Sequence, residues 1–314
     1  MKDYIATCYF LDVGQGCSQV IHLGKHRAVV IDTGPRQKEG RSPLLLLLKD
    51  RDIKKIEALI LSHNDEDHIG DAANLINVYS RQIGKIYFLE DRQLTQNRLY
   101  QVIIDAVRRE YIKKDDIFRL ETAEKPKVLF SEGNIEIDLL FPDFMGNLCF
   151  RPSNGTCAII ALTIGSQKVI FSGDAPIAAW RTIEEKNGKI LSQILTIPHH
   201  GGRFLTSPIG TPTFQEELEW FHNNCVQTKY AVLSVGSRNQ YGHPCGCIIE
   251  SFSRNGTEVL CTQMTPKCFP TMSDHVVRCC GTVEAYIGPT KTQVAKLDEL
   301  VSKKTHFVSR LCTH

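Results

Sequence analysis

The chain opens on three runs in which β-branched and aromatic residues cluster and a glycine closes each: IATCYFLDVG (5–14), CSQVIHLG (17–24) and HRAVVIDTG (26–34). These predict strands. Ser42-Pro43 then supplies an N-cap and a first-turn proline for a short helix through the leucines. IEALIL (56–61) has strand length, helix resumes near Ala72, and KIYFL (85–89) predicts another strand. Leu99, Val102, Ile103, Ala106, Val107 and Tyr111 fall on one helical face. Strands return at IEIDLLF (135–141), CAIIALTIG (157–165), KVIFSGD (168–174), ILTI (194–197) and YAVLSVGS (230–237). Helices are expected from Pro176, over Phe214–Asn223 and around Ile248–Ser253. Strand, polar loop and helix recur in turn, which predicts a layered α/β architecture with a site at the strand ends. Three strands at the start and three more after residue 130 suggest two similar halves.

After about Val259 the texture changes. Cys261, Cys268, Cys279 and Cys280 gather near His275, TVEAYIG (282–288) predicts a strand, and TQVAKLDELVSKK (292–304) predicts an amphipathic helix with Val294, Leu297, Leu300 and Val301 on its apolar stripe. The expected organisation is a main domain over 1–260 and a C-terminal extension, 261–314, packed on it.

Composition narrows the class. The 314 residues are 42% hydrophobic and 23% charged, an ordinary globular balance. The longest apolar run, Leu44–Leu48, is far too short for a bilayer span, so no membrane association is expected. The first residues lack the apolar segment of a secretory leader, and the expected compartment is the cytoplasm. In that compartment the twelve cysteines are expected to be thiols or metal ligands rather than disulfides. A net charge of +2 gives no strong electrostatic footprint for nucleic acid. Lys49, Arg51, Lys54 and Lys55 read as a solvated helix end.

The chemistry concentrates in LSHNDEDHIGD (61–71), where two histidines and three aspartates follow an apolar run. In a loop leaving a strand, alternate side chains can point to one side. His63 and Asp65 are therefore expected to share one cation while Asp67 and His68 turn toward a second, because imidazole and carboxylate are the donors that divalent metals take from such loops. A merely solvated turn would not need histidine. Three later strands end in further donors: Asp174 in FSGD, His199 and His200 in PHHGG, and His243 in GHP.

These motifs together resemble the metallo-β-lactamase superfamily, and within it the hydrolase domain of ComEC-type DNA-uptake competence proteins. The resemblance rests on LDVGQG (11–16), IDTG (31–34), SHNDEDHIGD (62–71), the turn Ser153-Asn154-Gly155-Thr156, FSGDA (171–175), PHHGG (198–202) and SVGSRNQYGHP (234–244), in order over residues 5 to 260. It implies a four-layered αββα sandwich with two divalent metal ions at the sheet edges. The metal ligands implied are His63, Asp65, Asp67, His68, His200 and Asp174, with Asp174 as the bridge. Asp67, His199 and His243 are the implied catalytic groups, Asp67 orienting the nucleophile and the two histidines contacting a phosphate oxygen or protonating the leaving group.

Two departures matter. Asp65 stands where the superfamily's commonest motif has histidine, as it does in the competence branch, and carboxylate in place of imidazole favours Mn²⁺ or Mg²⁺, with Zn²⁺ also accepted. No histidine lies between His68 and His199, so a ligand that many relatives supply is missing, and Asn154 and Thr156 are placed near that gap. Cys17 follows GQG where the competence pattern often continues with an acid, and it is assigned no role.

The implied activity is metal-dependent phosphodiester hydrolysis, with DNA as the first substrate class. Arg203 and Arg238 are the candidate phosphate contacts, since guanidinium matches phosphate geometry. Hydrolysis of a small phosphodiester, such as a cyclic nucleotide or a choline phosphate, and a non-catalytic binding module of the same fold are the alternatives. A protein partner in a multi-component system is a further expectation. Cys245, Cys247, Cys261, Cys268, His275, Cys279 and Cys280 could build a structural Zn²⁺ site, although their spacings match no standard paired knuckle.

Overall fold

The computed structural model describes residues 5–38, 40–89, 98–122, 125–143, 156–237, 239–263, 265, 277–279 and 281–295. In chain order its strands are β1 (Ala6–Phe10), β2 (Ser18–Gly24), β3 (Arg27–Thr33), β4 (Lys55–Ile60), β5 (Ile83–Phe88), β6 (Ile117–Arg119), β7 (Lys127–Glu132) and β8 (Ile135–Phe141). There follow β9 (Ile159–Ile164), β10 (Gln167–Phe171), β11 (Ile190–Thr196), β12 (Val226–Leu233), β13 (Glu258–Cys261), β14 (Val277–Cys279), β15 (Val283–Ile287) and β16 (Thr292–Val294). They form two eight-stranded sheets, ordered β16-β15-β1-β2-β3-β4-β5-β6 and β14-β13-β12-β11-β10-β9-β8-β7. The two sheets share a plan. In the first, β1, β2 and β3 are antiparallel and β3 to β6 run parallel. In the second, β7 to β10 are antiparallel and β10 to β14 run parallel.

The alternation of side chains along each strand builds the layers. On β9, Ile160 and Leu162 enter the core between the sheets, while Ile159 and Ala161 face the opposite way into a helix-covered core. On β4, Ala58 and Ile60 point between the sheets, and Ile56 and Leu59 point outward. The outward core of the first sheet is closed by α1 (Pro43–Asp50), α3 (Ala72–Tyr79) and α4 (Arg98–Arg108), with the single turn α2 (Glu66–Ile69) at its rim. That of the second is closed by α5 (Ile177–Asn187), α6 (Pro212–Trp220) and α7 (Gly246–Arg254). This is the expected αββα sandwich.

Local chemistry explains the helix starts. The Ser42 hydroxyl accepts the Leu45 N–H at 3.2 Å and Pro43 occupies the first turn, so α1 begins where a cap is present. Leu44 and Leu48, one helical turn apart, are fully buried.

The C-terminal segment differs from expectation in one element. Thr292–Val294, the start of the expected tail helix, is an edge strand, because Ala285 and Val294 pair and the Ala295 N–H donates to the Glu284 carbonyl. Leu297, Leu300 and Val301 lie outside the described residues. β15 pairs directly with β1, and Val283, Ala285 and Ile287 are buried between the sheets. β14 extends the second sheet beside β13. Among the described residues, no helix is long and apolar enough to cross a membrane.

Phe10 and Phe171 stack across the gap between the sheets, ring centroids 5.9 Å apart, and both are buried. Phe171→Ala is expected to destabilise the protein by about 3–5 kcal/mol through lost burial and a residual cavity. Urea unfolding followed by circular dichroism checks this: the midpoint should fall while the slope is kept.

Candidate metal centre

The motif donors meet at one edge of the sandwich, where loops leaving β4, β10, β11 and β12 converge. His63 and Asp65 lie in the loop after β4, and Asp67 and His68 on α2. Asp174 follows β10, His199 and His200 follow β11, and His243 lies beyond β12. Each half of the fold therefore supplies part of the array.

Its centre is Asp174, which is buried. Asp174 Oδ1 stands 3.2 Å from His68 Nε2 and 3.4 Å from His200 Nε2. His68 Nε2 and His200 Nε2 face each other at 3.3 Å, and Asp67 Oδ2 lies 3.1 Å from His200 Nε2. On the other side, Asp174 Oδ2 is 3.7 Å from His63 Nε2 and 3.8 Å from His199 Nε2, and Asp65 Oδ2 is 3.7 Å from His63 Nε2. Two donors on one tetrahedral divalent cation, each about 2.1 Å from it, stand about 3.4 Å apart. The spacings on both sides of Asp174 are of that order.

The imidazoles are oriented from behind. His68 Nδ1 lies 2.7 Å from Asp32 Oδ2, and His200 Nδ1 lies 2.8 Å from the Ser234 carbonyl. His63 Nδ1 lies 3.1 Å from Ser62 Oγ, whose own proton goes to Asp32 Oδ2 at 2.6 Å. Each Nδ1 thus has an acceptor, which leaves the Nε2 lone pair turned to the shared space. Two buried atoms there, His63 Nε2 and Asp174 Oδ1, make no hydrogen bond. Orphaned donors and acceptors at cation spacing are what a metal would satisfy. The residues present therefore fit divalent cations. Among the described residues, two overlapping buried groups qualify, each with donor atoms within 4.8 Å of one another: His63, His68 and Asp174, and Cys17, His68 and His200.

Asp32, Ser62, Cys17 and Cys157 are the contributors that sequence reasoning did not assign. Asp32 lies within the quoted IDTG, which is the signal that could have found it. It is buried in left-handed backbone at φ 54°, a costly conformation for a residue with a Cβ. Its carboxylate accepts the Ser62 N–H at 2.7 Å and the Ser62 hydroxyl, besides facing His68. Cys157 is buried 3.4 Å from His63 Nδ1 and accepts the Asp174 N–H. Thr156 precedes it, and Ala158 donates to the Ser62 carbonyl, so this segment is seated on the motif loop. Asp71 serves structure: it accepts from Ser42, Gln37 and Asn74, tying the motif to α1.

His199 and His200 occupy left-handed backbone, at φ 52° and 53°. A Cβ on Gly202 would come within 2.2 Å of the His243 ring, so only glycine allows that ring to approach. His243 is 5.5 Å from His199 between ring centroids and stacks on exposed Tyr241 at 5.8 Å. Arg203 is at the same rim, its guanidinium donating to the Thr206 carbonyl and its own carbonyl 3.1 Å from His199 Nδ1. Asn154 and Arg238 lie outside the described residues. Three of the four cations in the basic run are paired locally: Arg51 with Glu284, Lys54 with Asp52 and Lys55 with Glu57.

The expected cysteine site is corrected in part. Cys245 and Cys247 are joined to each other as a disulfide, which also departs from the expectation of thiols alone. Cys261 is a buried thiol within the apolar core. Cys268, His275 and Cys280, and the side chain of Cys279, lie outside what is described.

Charge couples the members of the array. Burial opposes ionisation of Asp174, but His200, His68 and His63 hold its pKa well below the carboxylate range. Burial likewise opposes charge on His68 and His200, yet Asp174 leads the groups that raise both well above ordinary histidine. Burial and the neighbouring His68 cation push His63 down to about 4. Charge on these histidines and a divalent cation would compete for the same carboxylate.

The signs give a pH test. His68 and His200 stabilise the metal-free protein fully below the unfolded value of 6.5, and that contribution is lost as pH rises through their raised folded values. Metal-free protein should therefore lose thermal stability on raising pH from about 6 to about 9, while protein with divalent cation gains affinity because fewer protons compete. Differential scanning fluorimetry with chelator and with Mn²⁺ or Zn²⁺ checks both trends. Asp32→Asn should weaken divalent-metal affinity about 10- to 100-fold, since it disturbs the partner of His68 without touching a donor. Competitive titration against a metallochromic chelator measures it.

Comparison with known proteins matches the sequence to the Metallo-beta-lactamase superfamily over residues 11–178. The chain is 24% identical over 270 residues to ComE operon protein 3 of Bacillus subtilis, covering 80% of this chain and 31% of that protein. It is 22% identical over 257 residues to Competence protein ComA of Neisseria gonorrhoeae, covering 81% of this chain and 30% of that protein. The chain thus spans about a third of the length of these relatives. Among solved structures, it is similar to the metallo-beta-lactamase fold protein YhfI of Bacillus subtilis, with 14% identity and a TM-score of 0.44, over 92% of this chain and all of that one. The family match, covering over half of the chain and including the His63–Asp71 motif and Asp174, establishes that the protein belongs to the metallo-β-lactamase superfamily.

Proposed function

We propose that the protein is a metal-dependent phosphodiester hydrolase whose substrate is nucleic acid, DNA in the first instance. The observation that carries this reading is the buried Asp174 carboxylate with imidazole Nε2 atoms drawn up on both sides, two of the buried polar atoms having no hydrogen bond. Similarity to competence proteins supports nucleic acid over other substrates of the superfamily.

His63, Asp65 and Asp174 would hold one cation, and Asp67, His68, His200 and Asp174 a second. When bound, these cations supply Lewis acidity that activates a water at neutral pH and offsets charge developing on a phosphoryl oxygen. The protein's own groups do the positioning. Asp67 stands beside His200 with its side chain 26% exposed, where its carboxylate can orient an incoming water. His199 is anchored through Nδ1 by the Arg203 carbonyl and presents Nε2 toward Asp174, so it can pass a proton to a leaving oxygen at the rim. His243 and Arg203 sit beside it, where a phosphate would approach. The natural substrate is completed, in this proposal, within a multi-component system that supplies the DNA.

The test is Mn²⁺-dependent cleavage of end-labelled single- and double-stranded DNA by wild type and Asp67→Ala. Wild type is expected to cut, and the substitution to slow cutting at least about 100-fold. No cleavage by wild type, or equal cleavage by both proteins, overturns the assignment.

A further inference from the structure

Cys17 separates itself from the other thiols. Among the other described thiols, Cys8, Cys225 and Cys261 belong to apolar core clusters, where a thiol packs as a small hydrophobe, and Cys157, also in a core cluster, is engaged by His63 Nδ1 and the Asp174 N–H. Cys17 is equally buried but belongs to none of these clusters. Its sulfur instead lies within 4.8 Å of donor nitrogens on His68 and His200, both buried. It stands 3.8 Å from His200 Nδ1, whose nearer partner is the Ser234 carbonyl at 2.8 Å, so the sulfur is not needed to orient that ring.

The backbone fixes it there. The Cys17 N–H donates to the Asp67 carbonyl at 3.1 Å. Gly16, at φ 136°, lies so close beneath Asp67 that a Cβ would come within 2.3 Å of the same carbonyl oxygen. The GQG loop therefore clasps the residue before His68 and brings the sulfur to the side of the array that Asp67, His68 and His200 occupy. A second, independent observation points to a ligand at this place: Asp174 Oδ1 is buried, makes no hydrogen bond, and is aimed between the two imidazoles.

We propose that Cys17 is a thiolate ligand of the second metal position, beside Asp67, His68 and His200, and that it makes this position selective for Zn²⁺ over Mn²⁺. The inference rests on the reading of the array as a divalent-metal site and adds to it a donor and a metal preference. Binding forms one sulfur–metal bond and releases the thiol proton to solvent, with no change in oxidation state. A soft sulfur donor selects zinc, whereas the carboxylate pair Asp65 and Asp174 leaves the first position harder.

The 314-residue chain is loaded with Zn²⁺ for X-ray absorption and with Co²⁺ for optical spectroscopy, in wild type, Cys17→Ser and Cys17→Asp. Wild type is expected to show a sulfur shell at about 2.3 Å and a thiolate-to-cobalt charge-transfer band, both lost in Cys17→Ser. Zinc affinity is expected to fall about tenfold or more in Cys17→Ser, and Cys17→Asp to retain Mn²⁺ better relative to Zn²⁺ than wild type does. Retained metal with only nitrogen and oxygen neighbours in wild type overturns the thiolate assignment while leaving the metal reading intact, and needs no variant. A sulfur signal that persists in Cys17→Ser comes from another cysteine and also overturns it. Failure of wild type to retain any metal overturns both this inference and the proposed hydrolase.

Discussion

A carboxylate buried as deeply as Asp174 is unfavourable unless opposite charge surrounds it. The rest of the site follows from that constraint. His68 and His200 close on one oxygen and His63 and His199 approach the other. Because the histidines come from loops of both sheets, charge compensation at Asp174 ties the two halves of the sandwich together at this edge. The core between the sheets sets the distance at which the loops meet, and the Phe10–Phe171 stack belongs to that core. Packing and electrostatics thus depend on each other here.

Holding so many polar groups in a buried cluster requires rigid support, and the support is strained. Asp32, His199 and His200 adopt left-handed backbone that residues with a Cβ disfavour. In each case the surrounding bonds account for the conformation: Asp32 is held by three interactions from Ser62 and His68, His199 by the Arg203 carbonyl, and His200 by the Ser234 carbonyl. Glycine appears where contact leaves no room for a side chain, as Gly202 under His243 and Gly16 under Asp67 show. Of the seven described non-glycine residues in left-handed backbone, Lys25, His26, Asp52 and Glu110 lie in exposed turns, while Asp32, His199 and His200 gather at this edge of the sandwich.

Much of this was legible in the sequence because local rules agreed with the global fold. Strands ending in donors gave both the sheets and the placement of His63, His68, Asp174 and His200. What escaped was set by tertiary context. Asp32 carries no local sign that its carboxylate will lie under His68, since the two are joined only when β3 and β4 pair in parallel. Cys157 is equally invisible, being brought to His63 when the second sheet closes on the first. TQV (292–294) carries a helical stripe in sequence, yet an available partner on β15 makes it a strand, as edge pairing can override propensity. The Cys245–Cys247 pair defeated an argument from compartment, which speaks to redox environment and not to two residues brought side by side at the start of α7.

The array is asymmetric about Asp174, and the asymmetry has a physical consequence. On the His63 side the donors are one imidazole and two carboxylates, with Asp65 partly exposed and its pKa raised by burial and by the neighbouring Asp174 and Asp67. On the His200 side two buried imidazoles meet the shared carboxylate and Asp67, with a sulfur near at hand. The first side is open to solvent and hard; the second is enclosed and softer. An enclosed, nitrogen-rich position suits a softer cation, while an open carboxylate position suits a harder one and exchanges it more readily. Asp174 Oδ2 also faces His199 on that side, and the Arg203 carbonyl anchors His199 through Nδ1, so the more exposed flank of the array is the one that His199 and Arg203 border.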